Sequence, residues 1–121
     1  MHPLDNQKLI RSLDKADMYA HIAGLPEQFS AAWSDASKLI LPSTFIQLHN
    51  IVILGMGGSA IGGALLRSLA LEHRRVPVVV VRDYQLPGFV DRNSLVIAVS
   101  YSGNTEETLS AFREASSKGA K

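Results

Sequence analysis

The first third of the chain alternates apolar and charged residues at helical spacing. Over residues 5–23 this periodicity predicts one short helix or a pair of helices, and the apolar positions that carry it are Leu9, Ile10, Leu13, Met18 and Ile22. Pro26 and Glu27 then suit the first turn of a further helix, where proline loses no hydrogen bond and a carboxylate meets the positive end of the helix dipole.

The helix that starts near Pro26 carries a single apolar stripe. Its positions are Phe29, Ala32, Trp33, Ala36 and Ile40, and Pro42 is expected to end it. Side chains of this size at helical spacing are typical of core packing, so we expect Phe29 and Trp33 to pack against the next layer of the domain.

After residue 46 the pattern changes to continuous aliphatic runs. The runs lie at residues 51–54, 76–81 and 95–100, and strands that are covered on both faces of a parallel sheet have this composition. Between the first two runs, Ile61, Leu65 and Leu69 recur every four residues and predict a crossover helix.

The third run is followed by a second helix pattern. Leu109, Phe112 and Ala115 fall on one helix face. Asn104 and Glu107 have the spacing of a capping box, and Gly119 is placed to stop the helix.

The order of these elements predicts an α/β fold with a doubly wound parallel sheet. We expect residues 1–46 to form an amino-terminal helical segment and residues 47–121 to form the sheet domain. The sequence stops where such a fold would turn into its next strand, which would leave one sheet edge open. We therefore expect a fragment of a longer protein, truncated after the third strand and its helix.

Composition excludes several functions. The 121 residues carry a net charge of +1 with scattered Lys and Arg, so no basic stripe indicates nucleic-acid binding. The chain has no cysteine, which removes disulfides and thiol catalysis. The amino terminus lacks the apolar segment of a secretory signal, and no apolar run approaches the roughly 20 residues that span a bilayer. We predict a cytoplasmic protein with no membrane partner.

The stretch "GMGGSAIGG" follows the first strand and opens the first crossover helix. Such a junction is an anion site, because free backbone N–H groups and the helix dipole meet there. Gly55, Gly57 and Ala60 also match the G-x-G-x-x-A dinucleotide fingerprint, and Asp83 could serve as its ribose-binding acid. For Gly62 and Gly63 we favour close packing of the helix on the strand.

The stretch "SYSGNTEET" ends the third strand and places the hydroxyls of Ser100, Ser102 and Thr105 at another helix start. A single residue would suffice to cap the helix, whereas several hydroxyls can donate together to a phosphate. Both stretches lie at carboxyl ends of parallel strands, where open α/β sheets bind ligands. A dinucleotide site would not require the second stretch.

Taken together, "GMGGSAIGG" and "SYSGNTEET" resemble the sugar isomerase (SIS) domain, a flavodoxin-like α/β fold. The helices that carry "DKADMYAHIAGLPEQF" resemble the amino-terminal segment of the bifunctional phosphoglucose/phosphomannose isomerases. The resemblance implies a sugar-phosphate substrate, no cofactor, no metal and a homodimer. It also implies that phosphate is held by Ser100, Ser102 and Thr105, and that the sugar is lined by Gly57, Gly58 and Ser59.

The resemblance implies aldose–ketose isomerisation, with the catalytic base and the ring-opening residues beyond Lys121. No catalytic residue is therefore expected in this chain. Glu106 and Glu107 are interpreted as dipole and capping residues. A non-catalytic module that senses phosphosugars would keep the same loops, and a nucleotide-dependent oxidoreductase would need only the first loop.

Overall fold

The structure is a computed structural model that describes residues 2, 5–73 and 76–121. Its packing divides into two units, one ending at Leu41 and the other running from Pro42 to Lys121. Each unit is described by itself.

The first unit contains the helices α1 (Gln7–Leu13), α2 (Met18–Ala23) and α3 (Leu25–Ser37), so the prediction of a helix pair followed by a further helix is confirmed. The Asn6 side chain caps α1 by accepting the Leu9 N–H at 3.1 Å. The Asp14 carboxylate accepts the backbone N–H groups of Tyr19 and Met18 at the start of α2. These bonds hold the pKa of Asp14 below its usual value.

The three helices of this unit do not bury Phe29 and Trp33 among themselves, and the packing of these rings against the next layer stays a prediction. Their exposed fractions are 72% and 77%, and no described residue of α1, α2 or α3 is buried. Three short helices offer too little surface to enclose large aromatic rings among themselves. Helix α3 also ends at Ser37, earlier than predicted, and leaves Ile40 outside it.

The second unit is built on a parallel sheet of β1 (Asn50–Leu54), β2 (Val78–Val81) and β3 (Ser94–Ala98), in the order β2-β1-β3. The chain runs from the central strand to one edge and then crosses to the other, so the predicted α/β fold is confirmed. Strand β2 begins two residues later than predicted, because Pro77 has no N–H to donate; its carbonyl still accepts the Ile51 N–H at 2.8 Å.

The two longer helices of this unit pack on opposite faces of β1. Helix α4 (Ile61–His73) approaches Ile53 through Gly63, where an added Cβ would lie 2.8 Å from the Ile53 Cγ2 atom. Helix α5 (Glu106–Ser117) belongs to the opposite face, since its buried alanines share a core with alternate residues of β1. That core consists of Val52, Leu54, Val81, Leu86, Val90, Ala111 and Ala115.

The apolar stripes that predicted α4 and α5 are not their most buried faces. Ile61, Leu65 and Leu69 on α4 are 55–63% exposed. On α5, Ala115 is buried but Phe112 is half exposed. The periodicity identifies each helix correctly, and the closest contacts with the sheet are made by the small residues Gly63 on α4 and Ala111 and Ala115 on α5.

The ends of α5 follow one prediction and contradict another. The helix begins at Glu106 with Thr105 as its N-cap. No side chain makes a capping hydrogen bond at this end, so the predicted capping box of Asn104 and Glu107 is wrong. At the other end Gly119 has φ +71° and donates to the Ser116 carbonyl, while Ala120 donates to Ala115. This is a Schellman motif, and the predicted stop at Gly119 is confirmed.

The outer edge of β3 is hydrogen-bonded at its amino end. Lys121 donates its backbone N–H to Ser94 at 2.9 Å and accepts the Val96 N–H at 2.8 Å. Because both bonds continue a parallel ladder, this part of the edge is not bare.

A carboxylate ties the segment after β2 to α5. Glu114 accepts the Leu86 backbone N–H at 3.0 Å with one oxygen and pairs with Lys118 at 2.9 Å with the other. The hydrogen bond from Lys118, followed by that from Leu86, lowers the pKa of Glu114. The bridge from Glu114 holds the buried Leu86 against α5.

We expect Gly63→Ala to destabilise the fold by about 1–2 kcal/mol, because overpacking against the buried Ile53 outweighs the gain in helix propensity. Gly62→Ala is the matched control in the same helix. Its Cβ would meet nothing within 4 Å, so this change should stabilise by about 0.5–1 kcal/mol. Urea unfolding of both variants measures the difference, and equal effects would contradict the packing role of Gly63.

Acid should weaken the Glu114 bridge. Because the pKa of Glu114 is lower in the folded state than its ordinary value of 4.5, the bridge stabilises fully above that value and is lost as pH falls through the folded pKa. Glu114→Gln should therefore reduce the loss of stability between about pH 6 and pH 3. The control is Glu72→Gln, which removes an exposed carboxylate of α4 and leaves the bridge intact. An equal reduction in both variants, measured by thermal unfolding, would refute the assignment.

Candidate functional site

Two loops border one cleft. The glycine-rich loop (residues 55–60) follows β1, and the hydroxyl loop (residues 100–105) follows β3. The cleft volume is about 570 Å³, and its lining residues are Gly58, Ser59, Val99, Ser100 and Tyr101. The two strands are parallel neighbours, so their carboxyl ends lie side by side at the same end of the sheet. The structure thereby brings together the two stretches that the sequence places some forty residues apart.

Gly55 makes the close approach of the two loops possible. An added Cβ would lie 3.1 Å from the Ser59 carbonyl oxygen and 3.2 Å from that of Val99. Both neighbours are backbone atoms, which cannot rotate away as a flexible side chain could. A side chain at position 55 would therefore push apart the turn before α4 and the end of β3.

The other glycines of the first loop have different roles. Gly57 adopts φ +51°, a left-handed conformation that favours glycine. Gly58 and Gly62 have nothing within 4 Å of an added Cβ, so the packing role expected for Gly62 is wrong and that for Gly63 is confirmed. At Gly58 the missing side chain leaves its part of the cleft open.

The hydroxyl groups of the second loop form a triangle. The Ser100 Oγ atom lies 2.9 Å from Thr105 Oγ1 and 3.4 Å from Ser102 Oγ, and the remaining side measures 3.3 Å. The candidate phosphate ligands predicted from sequence are thus placed together within hydrogen-bond distance. Such a cluster presents several donors to one small anion.

Backbone N–H groups orient this triangle. Gly103 donates to Ser100 Oγ at 3.1 Å, and Asn104 donates to Ser102 Oγ at 3.3 Å. Gly103 reaches this position through φ +68°. Each hydroxyl has one hydrogen, which it can donate within the triangle or to a ligand.

The triangle lies at the amino end of α5. The N-cap of α5 is Thr105. Its hydroxyl is hydrogen-bonded to those of Ser100 and Ser102 and to none of the helix N–H groups. The first N–H groups of a helix lack partners inside it and carry its positive dipole end. This combination favours a negatively charged ligand.

Two carboxylates belong to the same helix turn. Glu106 and Glu107 occupy the first turn of α5, as expected for residues that complement its dipole. The charge of Glu107 raises the pKa of Tyr84, with a further contribution from the charge of Glu106 and a hydrogen bond to it. Tyr84 therefore lies close to the start of α5.

Asp83, the candidate ribose-binding acid, is exposed, and its carboxylate accepts the backbone N–H of Tyr84 at 2.6 Å. It does not line the cleft. Two residues that do, Val99 and Tyr101, were missed by the sequence analysis. The sequence signal for them is position: Val99 directly precedes the hydroxyl stretch, and Tyr101 lies inside it.

Among residues 2, 5–73 and 76–121, no group of three or more His, Cys, Asp or Glu side chains is placed to hold a metal ion. Within the same residues, no helix combines the length and apolar character needed to cross a membrane.

Comparison with known proteins shows the family of this chain. The family model of the SIS domain matches residues 44–121. The chain belongs to the SIS domain family. Among solved structures, none matches the chain significantly.

Curated relatives of this SIS chain carry the name bifunctional phosphoglucose/phosphomannose isomerase. The relative from Caldicellulosiruptor bescii is 49% identical over 104 residues, which are 86% of this chain and 31% of the relative. The Aquifex aeolicus relative is 48% identical over 107 residues, covering 87% and 31%. The Thermoplasma acidophilum relative is 58% identical over 72 residues, covering 60% and 22%. The chain thus spans about a third of the length of these relatives or less.

Proposed function

We propose that the cleft binds a sugar phosphate, with the phosphate held by Ser100, Ser102 and Thr105. The observation that carries this proposal is the triangle of hydroxyls at the start of α5, with sides of 2.9, 3.3 and 3.4 Å. A phosphate dianion would accept hydrogen bonds from the hydroxyls and would gain from the helix dipole.

The first loop is proposed to line the sugar. Ser59 offers a hydroxyl to the cleft, and Gly58 leaves room beside it. Gly57 contributes the left-handed turn that sets the direction of the loop. The sugar would extend from the phosphate towards Gly57, Gly58 and Ser59.

We further propose that the protein takes part in interconverting glucose 6-phosphate or mannose 6-phosphate with fructose 6-phosphate. Support comes from the relatives, whose names state phosphoglucose and phosphomannose isomerisation. Aldose–ketose isomerisation moves a proton between neighbouring carbons and has no net redox change, so no cofactor is required.

The groups that move this proton are proposed to come from outside these 121 residues. The cleft lining in the described part of the chain contains no carboxylate and no imidazole, the side chains most often used as general bases. A non-catalytic module that senses phosphosugars is the second candidate function, and this same feature favours it.

We also propose a cytoplasmic homodimer. The exposed apolar stripe of Ile61, Leu65 and Leu69 on α4 supports self-association.

Replacing two of the hydroxyls should weaken anion binding. The double variant Ser102→Ala with Thr105→Ala removes two donors to a charged ligand, and we expect affinity for inorganic phosphate and for glucose 6-phosphate to fall about 10- to 100-fold. Titration calorimetry or amide chemical shifts measure this. The matched control is Ser116→Ala with Ser117→Ala, whose hydroxyls donate to carbonyls of α5 itself. Unchanged affinity in the first variant would overturn the phosphate assignment.

The 121-residue chain should not interconvert glucose 6-phosphate and fructose 6-phosphate. Binding groups alone lower the energy of the bound substrate and not the barrier, and a general base contributes about 10²–10⁴-fold. A longer protein that contains this chain should isomerise both glucose and mannose 6-phosphates, as followed by NMR of the sugars. If the longer protein bound them without turnover, the non-catalytic candidate would replace the isomerase. Turnover by the 121-residue chain would instead make Glu106 and Glu107 the candidates for the general base.

A further inference from the structure

Tyr101 is the most exposed large apolar residue of the described chain. Its relative exposure is 104%, so its ring makes no packing contact of consequence within the protein. It lies between Ser100 and Ser102 of the hydroxyl triangle and lines the cleft. A fully hydrated aromatic ring contributes nothing to the core, and its position at a cleft points to contact with a ligand.

The rest of the cleft lining contains no other ring. The cleft residues besides Tyr101 are glycine, serine and valine in the part of the chain that the structure describes. Gly58 leaves open space, and Ser59 and Ser100 offer hydroxyls. Val99 and Tyr101 are thus the apolar residues of this lining, and Tyr101 is the larger and more exposed of the two.

The hydroxyl triangle and the Tyr101 ring would contact different parts of the ligand. A phosphate needs only the hydroxyl triangle and the start of α5, and neither involves the Tyr101 side chain. The carbon skeleton attached to that phosphate must leave the triangle, and the cleft bordered by Tyr101 adjoins it at Ser100. Sugar carbons present C–H groups that can cover an aromatic face and remove it from water.

We infer that Tyr101 is a specificity residue that packs against the carbon skeleton of the sugar and so distinguishes a sugar phosphate from inorganic phosphate. The inference rests on the proposed function, since it assumes that the phosphate occupies the hydroxyl triangle.

The test compares two ligands with the 121-residue chain. Inorganic phosphate and glucose 6-phosphate are titrated while the amide signals of Ser59 and Gly103 are followed by NMR. We expect Tyr101→Ala to weaken glucose 6-phosphate binding on the order of tenfold, as the loss of an aromatic contact implies. Phosphate affinity should stay unchanged. Tyr101→Phe keeps the ring and should retain the preference for the sugar phosphate.

The control variant is Tyr19→Ala, which removes a 66%-exposed tyrosine of α2 that does not line the cleft. It should change neither affinity. If both ligands shift Gly103 but Tyr101→Ala preserves their affinity ratio, the role of Tyr101 is wrong and the proposed function stands. An equal loss for both ligands in Tyr101→Ala would likewise overturn the specificity role. If neither ligand shifts Gly103 in the unmodified chain, the proposed function fails and the inference falls with it.

Discussion

The site depends on the close approach of three backbone segments at Gly55. Gly55 directly follows β1, and the turn that leads into α4 and the end of β3 come within 3.1–3.2 Å of the position where its Cβ would lie. Parallel pairing of β1 with β3 places the two carboxyl ends side by side at the same end of the sheet. The missing side chain lets the glycine-rich loop and the hydroxyl loop border a single cleft.

Stability and binding compete at the start of α5. Thr105 occupies the N-cap, where a side-chain hydrogen bond typically contributes about 1 kcal/mol to helix stability. Its hydroxyl instead joins Ser100 and Ser102, and no side chain caps the helix. The first N–H groups of α5 are thereby left without a side-chain cap, and the hydroxyl hydrogens can be donated within the triangle or to a ligand. Glu106 and Glu107 in the first turn offset part of the loss through the dipole.

Small residues determine where the helices meet the sheet. Gly63 brings α4 against Ile53, and Ala111 and Ala115 bring α5 against the other face of β1. Large aliphatic residues on α4 remain half exposed. Close packing of a helix on a strand requires short side chains at the point of contact, so the larger ones lie to the side of it.

The features determined by the sequence alone are those that depend on neighbouring residues. Continuous aliphatic runs were enough for three parallel strands, and the position of Gly119 was enough for the end of α5. The two loops that border the cleft were also singled out from their residues, because glycine and hydroxyl clusters after parallel strands are local patterns. Ser100, Ser102 and Thr105 lie within six positions, so one turn of the chain is enough to bring their hydroxyls together.

The tertiary structure decided which surfaces are covered and which residues border the cleft. The stripe on α4 and the rings of Phe29 and Trp33 have the periodicity of core residues and yet are exposed. Burial depends on what packs against a helix, and that information lies in distant parts of the chain. Tyr101 shows the same limit, since its place in the cleft follows from the approach of β1 and β3 and not from its own neighbours. Periodicity describes a face of an element, whereas packing in three dimensions decides what that face meets.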